Sequence, residues 1–424
     1  MWGIPVYQAP RGTQDVLPED EKYWRYVEST ASRLSEQFGY GLIRTPTFED
    51  TSLFVRGVGE STDVVAKEMY TFEDKGGESL TLRPEGTAPV LRAYLEHGMA
   101  SRPQPVKLYY LMSMYRYDRP QAGRYREFHQ FGVEVIGDGA PPVDAEVILL
   151  AWRFYEALGL RDLSLQLNSI GCPNCRPAYL RLLVDHFTKH KMGLCHDCQR
   201  RLEVNPLRLL DCKNEQCQPA ILAAPASVEH LCDECREHFN ELRGMLEALK
   251  LPVFLNPRLV RGLDYYTRTV FEVWPPTVGA QAALGGGGRY DGLMEQLGGK
   301  PTPGIGFGLG IERIILNLKE QGIQVPEVGK PLLYVAYLGD EARLPAFELT
   351  DEARRLGIPT VATLGTRSLK AQLKQANNVG ARFAFILGQQ EVQEGTVTVR
   401  DMVESRQWQE LRPTALERLL PAKG

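Results

Sequence analysis

Residues 114–137 read MYRYDRPQAGRYREFHQFGVEVIG, and a second run at 261–273 reads RGLDYYTRTVFEV. Both end in alternating apolar residues, the period-two pattern of a strand. Arg116, Arg119, Arg124 and Arg126 crowd the first run and Arg261 opens the second. A guanidinium is always charged and offers a planar fork of donors, so a cluster of them on rigid strands suits a polyphosphate better than lysines would. The competing reading is a solvated charged face, common on protein surfaces and worth little in stability. It accounts less well for Gln130, Glu134, Tyr265 and Tyr266, which share the two runs and supply neutral and acidic groups for a small polar ligand.

The chain around these runs has the composition of an ordinary folded protein, 424 residues with 43% hydrophobic and 24% charged content, enough for two or three domains with separate cores. No apolar run approaches the roughly 20 residues of a membrane span. The start, MWGIPVYQAPRG, has neither a basic region nor a long apolar stretch, so no secretory signal is visible and a cytoplasmic location is expected. A formal net charge of −4 argues against indiscriminate nucleic-acid binding. It leaves room for RNA, because a local basic surface can meet phosphates on an acidic chain.

Residues 19–38 place Trp24, Val27, Ala31, Leu34 and Phe38 at helical spacing, with Gly39 and Gly41 ending the helix. A strand, LIRT (42–45), follows and runs into Pro46. Residues 142–158 read as a second amphipathic helix and LSLQLN (163–168) as a strand. After a Gly- and Pro-rich linker at 322–331 the pattern changes. Strands are predicted at 332–338, 360–364, 383–388 and 396–402 and helices at 342–356, 368–378 and 413–420, an α/β unit with a mostly parallel core sheet. A free-standing nucleotide-binding module is disfavoured, since no Gly-rich phosphate loop follows its first strand.

All eight cysteines fall between 172 and 235, as Cys172/Cys175, Cys195/Cys198, Cys212/Cys217 and Cys232/Cys235. A CxxC pair sets two thiolates on one turn, and two pairs complete the tetrahedral shell of structural zinc. Disulfides would need an oxidising compartment, of which there is no other sign. A redox pair would need a thioredoxin-like setting. Two zinc sites, or one with the remaining thiols buried, both fit. His186, His190, His196, His230 and His238 share the segment and are read as surface or core residues, given the surplus of cysteine.

The segments RGTQDVLP (11–18), TLRPEGTAPVLRAYL (81–95), residues 114–137, LVRGLDYYTRTVFEV (259–273), ALGGGGRYDGL (283–293) and GIGFGLGIER (304–313) resemble, in this order, the signatures of class II aminoacyl-tRNA synthetases of the histidyl type. RGLDYY with GGGGRYDGL is the part particular to histidine. The resemblance implies an α+β fold: a catalytic domain with an antiparallel sheet flanked by helices, in two parts (1–170 and 251–325), a helical Cys-rich insertion (171–250) and an anticodon-binding domain (332–424). It implies a homodimer built on the first helix, strand and proline. Members of this family vary in whether they carry such cysteines, which favours a structural role for Zn2+ over a catalytic one.

The implied activity is ligation of L-histidine to tRNA(His) through a histidyl-adenylate, with ATP and Mg2+. Attack of a carboxylate on the α-phosphorus brings two anions together, so the site must cancel charge and align the groups. By resemblance Arg116 grips the α-phosphate, Arg313 the γ-phosphate, and Arg261 approaches the α-phosphate from the opposite side; Arg124 and Gly308 join the nucleotide site. Gly304, Gly306, Gly308 and Gly310 alternate along one strand, leaving a bare face on which an adenine ring can lie or against which another element can pack. No general base is required, because the nucleophile is already ionised and pyrophosphate leaves readily once neutralised. In the transfer step the adenylate's phosphate or Gln130 is the proposed proton acceptor.

For histidine selection Glu134 can accept from one ring N–H, and Tyr266 and Tyr290 can serve the other nitrogen, with Tyr265 beside them. Such a site rejects apolar amino acids without proofreading. Glu85, Gly86 and Thr87 resemble the family's anchors for the α-amino group, with Gln130 beside the carboxylate. Arg119 and Gln121 match residues that read the 5′ end of histidine tRNA. The alternative is a catalytically inactive paralogue, the histidine-sensing regulatory subunit of an ATP phosphoribosyltransferase. Such paralogues lose the C-terminal domain and the ATP-gripping arginines, whereas Arg116, Arg261 and Arg313 all stand here.

Overall fold

The computed structural model describes residues 7–59, 62–276, 283–327, 329–363, 365 and 367–420. Residues 1–6, Val328 in the predicted linker, Leu364 at the end of a predicted strand and the last four residues lie outside them. The chain divides into two compact units, Met1–Val325 and Pro326–Gly424.

An eight-stranded sheet organises the first unit. Its order is Gly41–Leu42, Val106–Tyr115, Glu127–Ile136, Gly304–Gly310, Gly285–Arg289, Thr267–Trp274, Ser164–Ser169 and Val253–Leu255. The six inner strands pair antiparallel and each short outer strand runs parallel to its neighbour. The predicted strand 42–45 pairs only through Gly41–Leu42, plus one bond from Ile43 N–H to Tyr109.

The two faces of this sheet have opposite characters because successive side chains alternate. One face carries Tyr109, Phe131, Val133, Val135, Ile305, Phe307, Leu309, Phe271 and Val273 into the main core. That core includes Trp24, Val27, Ala31 and Leu34 of the helix Glu21–Gln37, the apolar side of Pro141–Ala157, and Phe239, Leu242 and Leu246 of Asp233–Ala248. The opposite face is nearly bare where Glu272, Gly286, Gly308, Gly132 and Tyr110 line up in register across five strands. A floor of glycines leaves room above the sheet.

The second unit is a five-stranded sheet, Thr360–Ala362, Leu333–Tyr337, Phe383–Leu387, Thr396–Asp401 and Gln407–Leu411, the first three parallel and the last two antiparallel. Helices Arg343–Arg355 and Arg412–Glu417 cover one face and Leu369–Asn378 the other. The helix Gln389–Glu394 and the edge strand Gln407–Leu411 were not predicted. QWQEL offers one half-buried Trp408 between exposed or partly exposed neighbours, too little apolar contrast to mark a strand. Among the described residues no helix is long and apolar enough to cross a membrane.

Phe385 is fully buried at the centre of the second unit. Phe385→Ala should cost that unit roughly 3–5 kcal/mol. Hydrogen exchange is the check: protection should fall along Thr396–Asp401 and hold along Glu127–Ile136.

Candidate active site

Glu134 lies in the strand Glu127–Ile136, opposite Gly306 and Leu108, and is wholly buried. Its partners are all neutral hydroxyls. Tyr290 Oη donates to Oε2 at 2.7 Å, Thr87 Oγ1 to Oε1 at 2.8 Å and Tyr110 Oη to Oε1 at 3.3 Å. Burial raises its pKa to about 8 despite those hydrogen bonds. The same burial raises Tyr110 and Tyr290, with the Glu134 charge adding to it.

Three of these four side chains, Glu134, Tyr290 and Tyr110, occupy space left by a glycine. A Cβ on Gly306 would overlap the Glu134 carboxylate, one on Gly304 the Tyr290 ring, and one on Gly86 or Gly132 the Tyr110 ring. The expected bare face of the 304–310 strand is therefore half filled. Gly304 and Gly306 admit recognition side chains, and only Gly308 and Gly310 open onto the neighbouring cavity. Beside the Glu134 cluster, Glu85 accepts from the N–H groups of Thr87 and Ala88, both at 2.8 Å, at the start of the helix Thr87–Glu96. Tyr265 Oη reaches Glu85 at 3.3 Å. Tyr266, expected with Tyr290 to serve the second ring nitrogen, lies against Tyr265 with ring centres 4.6 Å apart and also faces Arg261, whose guanidinium carbon lies 5.7 Å from its ring centre.

Next to this cluster is a cavity of about 480 Å3 lined by Arg116, Arg124, Gln130, Arg261, Gly308 and Arg313 among others. Carbonyl groups orient two of these four cations without neutralising them, whereas Arg124 is paired with Asp118, Nε to Oδ2 at 3.2 Å. Arg116 Nε donates to Pro84 O at 2.8 Å, and Arg313 donates to Gly123 O at 3.0 Å and Ala283 O at 2.8 Å. Burial first, and the charge of Arg124 second, pull the Arg313 pKa down, the electrostatic mark of a site short of negative charge. Arg261, like Arg124, is ion-paired, its partner being Glu272. Burial works against its charge, and Glu272 reverses the effect so that its pKa is raised.

Arg116, Arg119, Arg124 and Arg126 lie not on strands, as expected, but on the connection between Val106–Tyr115 and Glu127–Ile136, where Arg119 and Gln121 stand exposed and Gln121 bridges Arg124. Sequence reasoning missed Tyr110, which in KLYYLM reads as one more core aromatic. It also missed Glu272, though an acid inside TVFEVW was a visible signal, and Asp63, Arg201 and Arg208 at the cavity edge.

The cysteines gather in two groups, Cys172, Cys175, Cys232 and Cys235, and Cys195, Cys198, Cys212 and Cys217. Sulfur separations are 3.8 Å for Cys172–Cys175 and Cys172–Cys232 and 3.9 Å for Cys175–Cys235 and Cys195–Cys212. A tetrahedron with metal–sulfur bonds of about 2.3 Å has edges of about 3.8 Å. Backbone N–H groups point at the sulfurs, Cys172 N to Cys175 Sγ at 3.3 Å and Cys195 N to Cys217 Sγ at 3.2 Å, as thiolates require. Both groups fit one four-coordinate ion each.

Residues 12–174 and 203–314 match the family described as histidyl-tRNA synthetase, and residues 333–422 match the anticodon binding domain. The histidine–tRNA ligase of Dehalococcoides mccartyi (strain ATCC BAA-2266 / KCTC 15142 / 195) is 57% identical over 402 residues, 95% of this chain and 96% of the relative. That of Pelotomaculum thermopropionicum is 52% identical over 398 residues, 94% of each. The crystal structure of apo S. aureus histidyl-tRNA synthetase aligns with a TM-score of 0.83 at 40% identity, covering 98% of this chain and 100% of that one.

A carboxyl whose pKa rises from an ordinary 4.5 to about 8 on folding holds its proton longer in the native state, so stability falls as pH rises through that window. Glu134→Gln removes this slope. The stability difference between wild type and Glu134→Gln, from urea titrations at pH 5 through 8.5, should shift against the wild type with rising pH, by roughly a few kcal/mol overall.

Proposed function

The chain belongs to the histidyl-tRNA synthetase family, and from that membership and the geometry of the cavity we propose how its residues perform the ligation of histidine to tRNA. The observation that carries the reading is a juxtaposition. A buried carboxyl group with only neutral donors stands beside a cavity in which Arg116 and Arg313 carry no carboxylate partner, on one glycine-floored face. A ligand pair with a ring N–H at one end and phosphates at the other satisfies both.

Glu134 accepts from the imidazole of L-histidine, with Tyr290 orienting it and Tyr110 completing its shell. Glu85 and Thr87 hold the α-amino group and Gln130 lies beside the carboxylate. That carboxylate oxygen bonds to the α-phosphorus of ATP as the bond to the bridging oxygen breaks and pyrophosphate leaves. Arg116 and Arg261 stabilise charge on the α-phosphate and Arg313 holds the γ-phosphate. Mg2+, when bound, would supply further neutralisation of the phosphates. The unionised nucleophile problem does not arise, so no side chain acts as general base. Arg119 and Gln121 meet the acceptor end of tRNA(His), the second unit binds its anticodon, and the enzyme works as a cytoplasmic homodimer. Structural Zn2+ fills the thiolate groups.

The relatives matched over nearly the whole of both chains, second unit included, are ligases, which favours this reading over the regulatory paralogue.

Arg261→Ala should lower histidine-dependent exchange of pyrophosphate into ATP by about a hundredfold or more while histidine binding survives. Rapid-quench measurement of adenylate formation checks it; an unchanged rate constant removes Arg261 from the chemistry. A chain ending at Val325 should retain exchange and charge tRNA poorly, having lost its anticodon contacts. Comparing the two half-reactions on that chain is the test.

A further inference from the structure

The second thiolate group brackets a stretch that reaches the cavity. Between Cys195/Cys198 and Cys212/Cys217 run the helix His196–Val204 and the short 3-10 turn Pro206–Leu209, and from them Arg201 and Arg208 line the cavity edge. Arg208 is 17% exposed. Its Nη2 is 3.8 Å from Asp63 Oδ2 and its Nη1 3.9 Å from Asp211 Oδ2, distances at which neither carboxylate hydrogen-bonds it. Nη1 is buried with no hydrogen-bond partner. Gly262, next to Arg261, gives it room: a Cβ there would stand 3.3 Å from Nη1. Arg201 takes the near side of Asp63, donating to Oδ2 at 3.0 Å, and so leaves Arg208 the less satisfied of the two.

A buried guanidinium nitrogen without an acceptor costs free energy unless a ligand supplies one. At the edge of a cavity rich in arginine, the fitting ligand is an anion with oxygen acceptors, a phosphate. The arch that carries Arg208 is built of the helix His196–Val204 and the 3-10 turn Pro206–Leu209. Leu202, Leu209 and Leu210 anchor it from below, and the four sulfurs close its two ends.

We infer that Cys195, Cys198, Cys212 and Cys217 bind one zinc-class ion whose task is to clasp residues 199–211 over the cavity, and that Arg208 on this arch is a further phosphate-binding residue. The inference rests on the ligase reading above. Metal binding at such a site is folding free energy, so the ion stiffens the arch as it binds. The phosphate belongs either to the nucleotide or to the 3′ end of the RNA, two sources that kinetics separates.

The test uses the full-length enzyme. Metal analysis should show that Cys195→Ser with Cys212→Ser removes one equivalent of zinc. Arg208→Ala should keep its metal and its KM for histidine, yet raise a phosphate-ligand KM by about ten- to a hundredfold. A rise in KM for ATP during pyrophosphate exchange assigns the nucleotide. A rise in KM for tRNA during charging, with exchange unaltered, assigns the RNA. Arg208→Lys should recover part of the loss, which a packing role would not predict. The cysteine variant should reproduce the Arg208→Ala defect, and the combined variant should be no worse than either. Should the cysteine variant fail to fold, the zinc content of the wild type and the Arg208 variants decide. A wild type without bound zinc, or a folded cysteine variant that keeps the wild-type zinc content, overturns the inference, as do unchanged KM values for both ATP and tRNA in Arg208→Ala. A wild type that performs no histidine-dependent exchange overturns the ligase reading instead.

Discussion

Burying Glu134 without a cation is the constraint around which the first unit is arranged. An ionised carboxylate in such a place is costly, and hydroxyl donors reduce the cost without cancelling it. Three must converge, and each is bulky or rigidly placed: Tyr290 from just past the end of the glycine strand Gly285–Arg289, Tyr110 from the first long strand, and Thr87 from a helix start. They converge only because Gly86, Gly132, Gly304 and Gly306 carry no side chain at the points of contact. These glycines are the imprint of the side chains that sit on them.

The arginine cavity is the complementary imbalance. Arg116 and Arg313 are held by carbonyl oxygens, which fix direction and leave the charge intact. Arg261 alone of the three has a carboxylate, Glu272, and even there Nε is buried without a hydrogen-bond partner. Acid and base therefore stand close together on one sheet face without collapsing onto each other. The strands prevent it: Gln130 and Gly308 lie between the two clusters, and register fixes the spacing. A site strained in this way favours a ligand that brings a donor to one end and anions to the other.

How much of this was legible in the sequence depended on periodicity and its ambiguities. The long helix Glu21–Gln37 announced itself through Trp24, Val27, Ala31 and Leu34, and all four are buried. The strand Glu127–Ile136 also showed its period. Alternation normally separates a core face from a wet one, yet Glu134 is as buried as Val133 and Val135. A polar residue at period two reads as solvent-facing whether it meets water or a pocket, so the site face was legible as polar but not as enclosed. Tyr110 could not be told from a core residue for the same reason. Its partner glycines are far from it in sequence.

The cysteines show the other limit. Spacing within each pair is local and readable, whereas the choice of partner pair is set by long-range packing. Here the outermost pairs, Cys172/Cys175 and Cys232/Cys235, meet around the inner ones. What brings them together lies in the catalytic sheet. The helix after Cys232, Asp233–Ala248, packs in the main core, and its His238 Nε2 lies 2.9 Å from Asp144 Oδ2. Asp144 Oδ1 in turn stands 2.7 Å from Nε of the fully buried Arg289, whose Nη1 donates to Asp291 at 2.9 Å. The Asp144 contact is too far off line to be a hydrogen bond and acts through charge. Arg289 immediately precedes Tyr290, the shortest donor to Glu134. Breaking one side of a buried pair of this kind costs about 3–5 kcal/mol. The cysteine-rich stretch is thus tied by charge to the strand that positions Tyr290.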